Sequence, residues 1–258
     1  MMLKIRVIPC LLLKNESLVK TIKFKKYNYI GDPINTVRIF NELEVDELMF
    51  LDIFASKEDK KINFNILKDI ANECFMPLSY GGNIKSLDDA KKIFEIGFEK
   101  IIINSNAFNN LSFITELAQY FGKQSIIGSI DVKENFFGKK NVFSKHGECK
   151  EQESVVEWAK KLELAGVGEL LITSINKEGT WSGYDIELIK SVTQSVQIPV
   201  IANGGAGSNL DIVQVVKKAN ASACAVGSMV VYQKKDMGVL VSFPNKKSLE
   251  KVLKDINI

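Results

Sequence analysis

The sequence predicts an α/β fold, a (β/α)8 barrel assembled from two similar half-barrels. Three observations predict it: β-rich runs alternate with helical patterns from end to end, eight such units fit into 258 residues, and strand motifs of the first half recur in the second. With 46% hydrophobic residues the chain can bury a full core, and no Pro- or Ser-rich linker divides it. Residues 1–258 are therefore expected to form a single barrel domain.

The first strand spans residues 5–13 in the opening MMLKIRVIPCLLLKN. Arg6 interrupts that apolar stretch, Lys14 ends it, and no small-residue cleavage site follows, so it reads as a buried strand rather than an export signal or a membrane span. A helical pattern at 32–43 leads to the second strand at 47–52, and the third follows at 77–80. A helix at 86–96 precedes the fourth strand at 100–104. The second half repeats the alternation with strands at 125–131, 168–174, 199–203 and 222–226, and a helix at 209–218 between the last two. Two connections are long, 14–31 and 132–150, and both follow a strand's carboxyl end, where barrels place lids and substrate loops. The alternative is a pair of plain surface hairpins.

The repeat is specific. DELMFLDI resembles GELLITSI, PLSYGG resembles PVIANGG, and CLLLK resembles SIDVK. The pairs Leu48/Leu170, Gly81/Gly204 and Lys14/Lys133 are each about 120 residues apart, which suggests two fused four-unit halves.

Composition excludes several functions. The net charge is only +3, with 34 basic and 31 acidic residues interspersed, which is no nucleic-acid footprint. Cys10, Cys74, Cys149 and Cys224 form no CxxC pair and His146 is the only histidine, so zinc-site spacing is absent and neither metal nor cofactor is expected. The cysteine pattern and the lack of an apolar span suggest a reduced, cytoplasmic protein acting on small molecules, with no membrane or nucleic-acid partner.

Candidate chemistry collects at strand ends. Gly204 and Gly205 follow the seventh strand, and Gly227 and Ser228 follow the eighth. Glycines let backbone N–H groups approach an anion, and a phosphate grip at these loops is a recurrent barrel feature. The alternative is that they only make tight turns. Gly81, Gly82, Asn83, Asn104 and Ser105 form a weaker first-half twin, in which the Asn83 amide can donate but also crowds the cradle. Two grips imply a substrate with two phosphates, or a relic of symmetry. Asp131 ends the fifth strand, as suits a general acid or base, unless it is a cap or a partner of Lys133. Asp52 ends the second strand and has a structural alternative too. At the opposite ends, Arg6, Glu47, Lys100 and Glu169 carry both signs of charge, which by default makes a stabilising ion network at the barrel bottom.

Taken together, GDP at 31–33, FLDI at 50–53, GG at 81–82, IN at 103–104, SID at 129–131, EGTWSGYD at 178–185 and GGAG at 204–207 resemble HisF, the cyclase subunit family of imidazole glycerol-phosphate synthase. The resemblance covers nearly the whole chain. It implies a lyase-type subunit of a glutamine amidotransferase complex, with a HisH-like glutaminase at the barrel bottom, ammonia passing through the centre, and chemistry at the top. Under it Arg6, Glu47, Lys100 and Glu169 match the ammonia gate, and Gly179 joins the phosphate-binding set. The family's two catalytic aspartates fall on Leu12 and Asp131, so one is missing, and the internal repeat pairs the same two positions. Asn83 replaces a phosphate-contacting glycine and Asn176 an aspartate. Leucine cannot transfer a proton, and losing an acid/base partner typically costs about 10²–10⁴-fold. The resemblance is thus to paralogues that serve acetamidino-sugar formation on surface glycans together with a separate amidotransferase. The alternatives are an orthodox histidine-pathway cyclase in which Lys14 or a water replaces the aspartate, a non-catalytic ammonia conduit, and, more distantly, a HisA-like isomerase.

Overall fold

The computed structural model describes residues 5–245 together with Ser248, Leu249 and Val252. In chain order the strands are β1 (Arg6–Lys14), β2 (Ser17–Ile22), β3 (Lys25–Gly31), β4 (Leu48–Asp52), β5 (Leu78–Gly81), β6 (Lys100–Ile103), β7 (Ile126–Glu134), β8 (Lys140–Ser144), β9 (Cys149–Lys150), β10 (Glu169–Ser174), β11 (Val200–Asn203) and β12 (Ala223–Val226). Eight of them pair in parallel in the order β10-β11-β12-β1-β4-β5-β6-β7, and β10 pairs with β7 to close the barrel. These are the eight strands expected from the sequence. Closure removes the open edges that a flat sheet would expose.

Three of the helices show why the pattern reads well from sequence. Helix α1 (Pro33–Glu42) starts on Asp32, whose side chain accepts from Asn35 N, with Pro33 in the first turn. The expected helix at 86–96 is α2 (Leu87–Ile96), where Ser86 and Asp89 form a capping box and Gly97 ends it in a left-handed conformation. The expected helix at 209–218 runs one residue longer as α3 (Asn209–Ala219), and Asn220 supplies its left-handed cap.

Strand alternation splits the core into two layers. On β1, Val7, Leu11 and Leu13 pack outward in the large cluster shared with the helices, while Ile8, Cys10 and Leu12 belong to a second apolar cluster inside the barrel. Val19, Met49, Ile102, Ile127, Leu171, Ile201, Ala223 and Ala225 complete that cluster.

The two long connections are more regular than open loops. Antiparallel β2 continues β1 and pairs with β3, and β8 continues β7 and pairs with β9. They are hairpins, and residues of both line the barrel mouth, among them Lys20, Phe24 and His146. The hairpin alternative is thus the one that forms, and its strands could not be placed from sequence because neither segment alternates cleanly between apolar and polar residues.

Candidate active site at the barrel mouth

On β7, Ile126, Ile130 and Val132 pack outward, which turns Ile127, Ser129 and Asp131 toward the barrel axis. Asp131 is 9% exposed and lines a cavity of about 110 Å³ at the carboxyl ends of the strands. Nδ2 of Asn104 donates to its Oδ2 at 2.8 Å, and Thr173, paired with it across β10, hydrogen-bonds to it as well. Burial pushes the Asp131 carboxyl up to about 7, and these two hydrogen bonds hold it from rising further. Lys133 is not among the groups that act on this carboxyl; its Nζ lies 5.5 Å from the Phe143 ring centroid.

The matching place on β1 is apolar. Leu12 is 7% exposed, paired with Leu51 on one side and Val19 on the other, and lines the same cavity as Asp131. Lys14, the sequence's candidate substitute, lies with Nζ 3.2 Å from the Tyr27 ring centroid and outside the residues lining the cavity. Asp52 lines the cavity, but its Oδ1 accepts from Ala55 N at 3.2 Å and so braces its own loop. Burial raises its carboxyl above the ordinary range.

The second-half glycines come together. Gly204, Gly205, Gly227 and Ser228 line one small cleft with Gly179. A Cβ on Gly205 would sit 2.2 Å from Gly183 O, and one on Gly179 2.3 Å from Thr21 O, so close backbone approach requires glycine at both. Into this cleft projects Lys20 from β2, only 6% exposed, with Nζ 2.3 Å from where a Cβ on Gly227 would stand. Its counter-charge is Glu178, which is also buried; desolvation raises that carboxyl and Lys20 opposes the rise.

In the first half the polar side chains are engaged within the protein. Asn83 holds φ +50° and donates its amide to Asp59 Oδ1 at 3.2 Å and to Lys60 O at 2.9 Å. Ser105 Oγ accepts from Lys145 N at 3.0 Å. Gly81 and Gly82 line the cavity with Asn83, and Gly82 is crowded by Tyr80 and Asp52. Asn104 faces Asp131, leaving its own Oδ1 buried with no hydrogen-bond partner. Asn176 ties its loop to the β7–β8 hairpin by accepting from Glu134 N and donating to Glu134 O.

An aromatic clasp adjoins the cavity, which Phe24 and His146 help to line. Phe24 stacks on His146 at 4.9 Å and 5°, and Phe54 lies 5.2 Å from the same imidazole. Three separate connections meet there. Burial, then Lys57, keeps His146 below its ordinary value.

At the other end, Arg6 Nη1 lies 2.8 Å from Glu47 and Nη2 2.9 Å from Glu169, while Lys100 Nζ lies 2.7 Å from Glu169 and 3.9 Å from Glu47. The four charges close an alternating ring across the barrel bottom. Burial opposes the charge on Glu169, yet hydrogen bonds from Arg6 and Lys100 hold it below the usual carboxylate range.

Residues 6–236 match the histidine biosynthesis protein family. An imidazole glycerol phosphate synthase subunit HisF from Methanococcus vannielii is 39% identical over 256 residues, spanning 92% of this chain and 94% of that one. The chain belongs to the HisF family. Among its HisF relatives, a Pseudomonas aeruginosa protein provisionally named imidazole glycerol phosphate synthase subunit hisF2 is 48% identical over 249 residues, covering 96% of this chain and 99% of the relative. A Vibrio vulnificus protein provisionally named subunit hisF3 is 40% identical over 253 residues, covering 98% and 97%.

Within this HisF-type mouth, sequence reasoning missed Lys20, Thr173 and the clasp. Thr173 was legible in principle, since it lies at the end of a predicted strand two residues beyond an inward leucine. Lys20 sits in a segment read as a loop, and nothing local reveals that its amine reaches Gly227. Among the described residues no cluster of His, Cys, Asp and Glu fits a metal ion, and no helix is long and apolar enough to cross a membrane.

Proposed function

We propose that this chain is the HisF-type subunit of a glutamine amidotransferase complex, and a paralogue that delivers ammonia for acetamidino-sugar formation rather than a histidine-pathway cyclase. One observation carries the reading: Asp131 and Leu12 line the same cavity, and Asp131's hydrogen-bonding partners, Asn104 and Thr173, are both neutral. A cyclisation that needs an acid and a base finds one titrating carboxyl poised near neutral pH and a leucine where the second belongs. The hisF2 and hisF3 relatives carry numbered names that set them apart from plain HisF, although both names still read imidazole glycerol phosphate synthase subunit.

In this reading a HisH-like glutaminase docks on the face bearing the Arg6–Glu47–Lys100–Glu169 ring. Ammonia enters by rearrangement of that ring and crosses the apolar interior from Ile8 and Met49 toward Leu12. At the mouth, Asp131 exchanges a proton with it or with an intermediate, and Gly204, Gly205, Gly227, Ser228 and Lys20 hold a phosphate of the substrate. A separate amidotransferase completes the sugar chemistry. The test is ammonia-dependent turnover of the histidine-pathway aminoimidazole ribonucleotide intermediate by the purified chain. Turnover at least about 10²-fold below an orthodox HisF is expected; robust cyclisation, or rescue of a strain lacking HisF, would overturn the paralogue reading.

A further inference from the structure

A second, larger cleft adjoins the second-half glycine loops and runs outward between the β2–β3 hairpin and the segment that follows β12. Its volume is about 430 Å³, within the range of about 300–1,000 Å³ typical of small-molecule sites. It shares Lys20, Gly179 and Ser228 with the glycine cleft, so the two are continuous. Trp181 and Tyr232 contribute aromatic surface, and Lys235 adds a second cation.

Trp181 is held there against its own preference. Its φ of +62° is sterically unfavourable for a bulky side chain. The GGAG loop presses on it from behind, since a Cβ on Gly207 would lie 3.0 Å from Trp181 O and 3.2 Å from its Cα. The contrast with the other tryptophan is plain. Trp158 is 4% exposed and stacks on Phe108 at 4.1 Å, whereas Trp181 is only half-buried and lines a cleft.

We propose that this cleft is a nucleoside pocket: the glycine loops and Lys20 take a ligand's phosphate, and Trp181 and Tyr232 take its planar base, so that the ligand is a nucleoside diphosphate or an ester of one. The inference rests on the second-half loops being a phosphate grip, and it names the substrate class they serve. Lys20 lines both clefts with Glu178 beside it, and Lys235 lines the outer one with Asp236, so the two cations are spaced along the path a diphosphate would occupy rather than gathered at one anion. The aromatic walls offer the π-faces on which bases stack, a contact that strengthens binding roughly ten- to a hundredfold.

Calorimetry on the full chain with inorganic pyrophosphate, UDP and ADP tests it. Pyrophosphate is expected to bind weakly and to compete with the nucleotides, at least one of which binds tenfold or more tightly than pyrophosphate. Trp181→Gly relieves the backbone strain and so keeps the fold; it should remove the nucleotide advantage while leaving pyrophosphate affinity unchanged, and Trp181→Phe should restore most of it. Failure of pyrophosphate and both nucleotides to bind would overturn the grip and this pocket together. Pyrophosphate binding with no nucleotide advantage, or an advantage that survives in Trp181→Gly, would overturn the pocket alone.

Discussion

The two halves of the barrel mouth descend from one sequence pattern, yet they spend their polar groups differently. Around Leu12 in the first half, Asn83 and Ser105 are tied to the protein's own loops, through Asp59, Lys60 and Lys145. Around Asp131 in the second, the carboxyl is buried and titrates near neutrality, and the glycine cleft holds a buried lysine. That lysine comes from the first-half hairpin, which extends β1 beside β12, and from there reaches Gly227. The asymmetry is therefore more than decay of one repeat: the first half contributes a cation to the second.

The comparison can be broken most decisively at Asp131. In Asp131→Asn, ammonia-dependent activity of the complex should fall by about 10²–10⁴-fold; full activity would make the barrel a conduit with two equivalent, inert halves. The same variant sharpens the electrostatics. A carboxyl whose folded pKa is raised to about 7 favours the folded state below its unfolded value near 4, and that contribution is lost as pH rises through about 7. The Tm of Asp131→Asn minus that of the wild type should therefore grow between pH 4 and pH 7. Activity that needs the ionised base should rise over the upper part of that window.

Leu12→Asp restores the pattern of the second half at the first. Placing a carboxyl among Leu51 and Val19 with no prepared hydrogen bond should cost about 2–4 kcal/mol in urea unfolding, least at acid pH where the group is neutral. An unchanged midpoint would mean that the first-half mouth is as polar as the second. Lys20→Met should weaken binding of phosphorylated ligands about 10–100-fold, read by calorimetry, with the barrel still folded. Asn83→Gly is expected to be the smallest effect: it relieves a left-handed backbone but loses two exposed hydrogen bonds, so stability should change by less than about 1 kcal/mol and phosphate affinity by less than about twofold. A large gain in phosphate affinity would show the first-half grip to be blocked only by that side chain.

The eight strands, the helix starts and the inward positions of Leu12 and Asp131 were all legible in the chain. Each rests on local signals: alternation of apolar residues, Ser86–Asp89 or Asp32–Pro33 at a helix start, and a repeat that aligns CLLLK with SIDVK. The charge ring was legible as four residues that begin strands, because position along a strand fixes which end of the barrel a residue occupies. The hairpins were legible only as an alternative to open loops, because their strands are stabilised by pairing with β1 and β7 rather than by their own pattern.

What the sequence by itself determined is thus everything that depends on periodicity: a two-halved (β/α)8 barrel, inward-facing Asp131 and Leu12, and glycine loops at the strand ends. Only the tertiary structure decided which polar groups remain available. Hydrogen bonds between residues far apart in the chain took Asn83 and Asn104, close backbone approach fixed Gly179 and Gly205, and barrel closure brought Lys20 beside Gly227. Burial then set the protonation of Asp131, and burial is a property of the assembled barrel, which no stretch of sequence carries on its own.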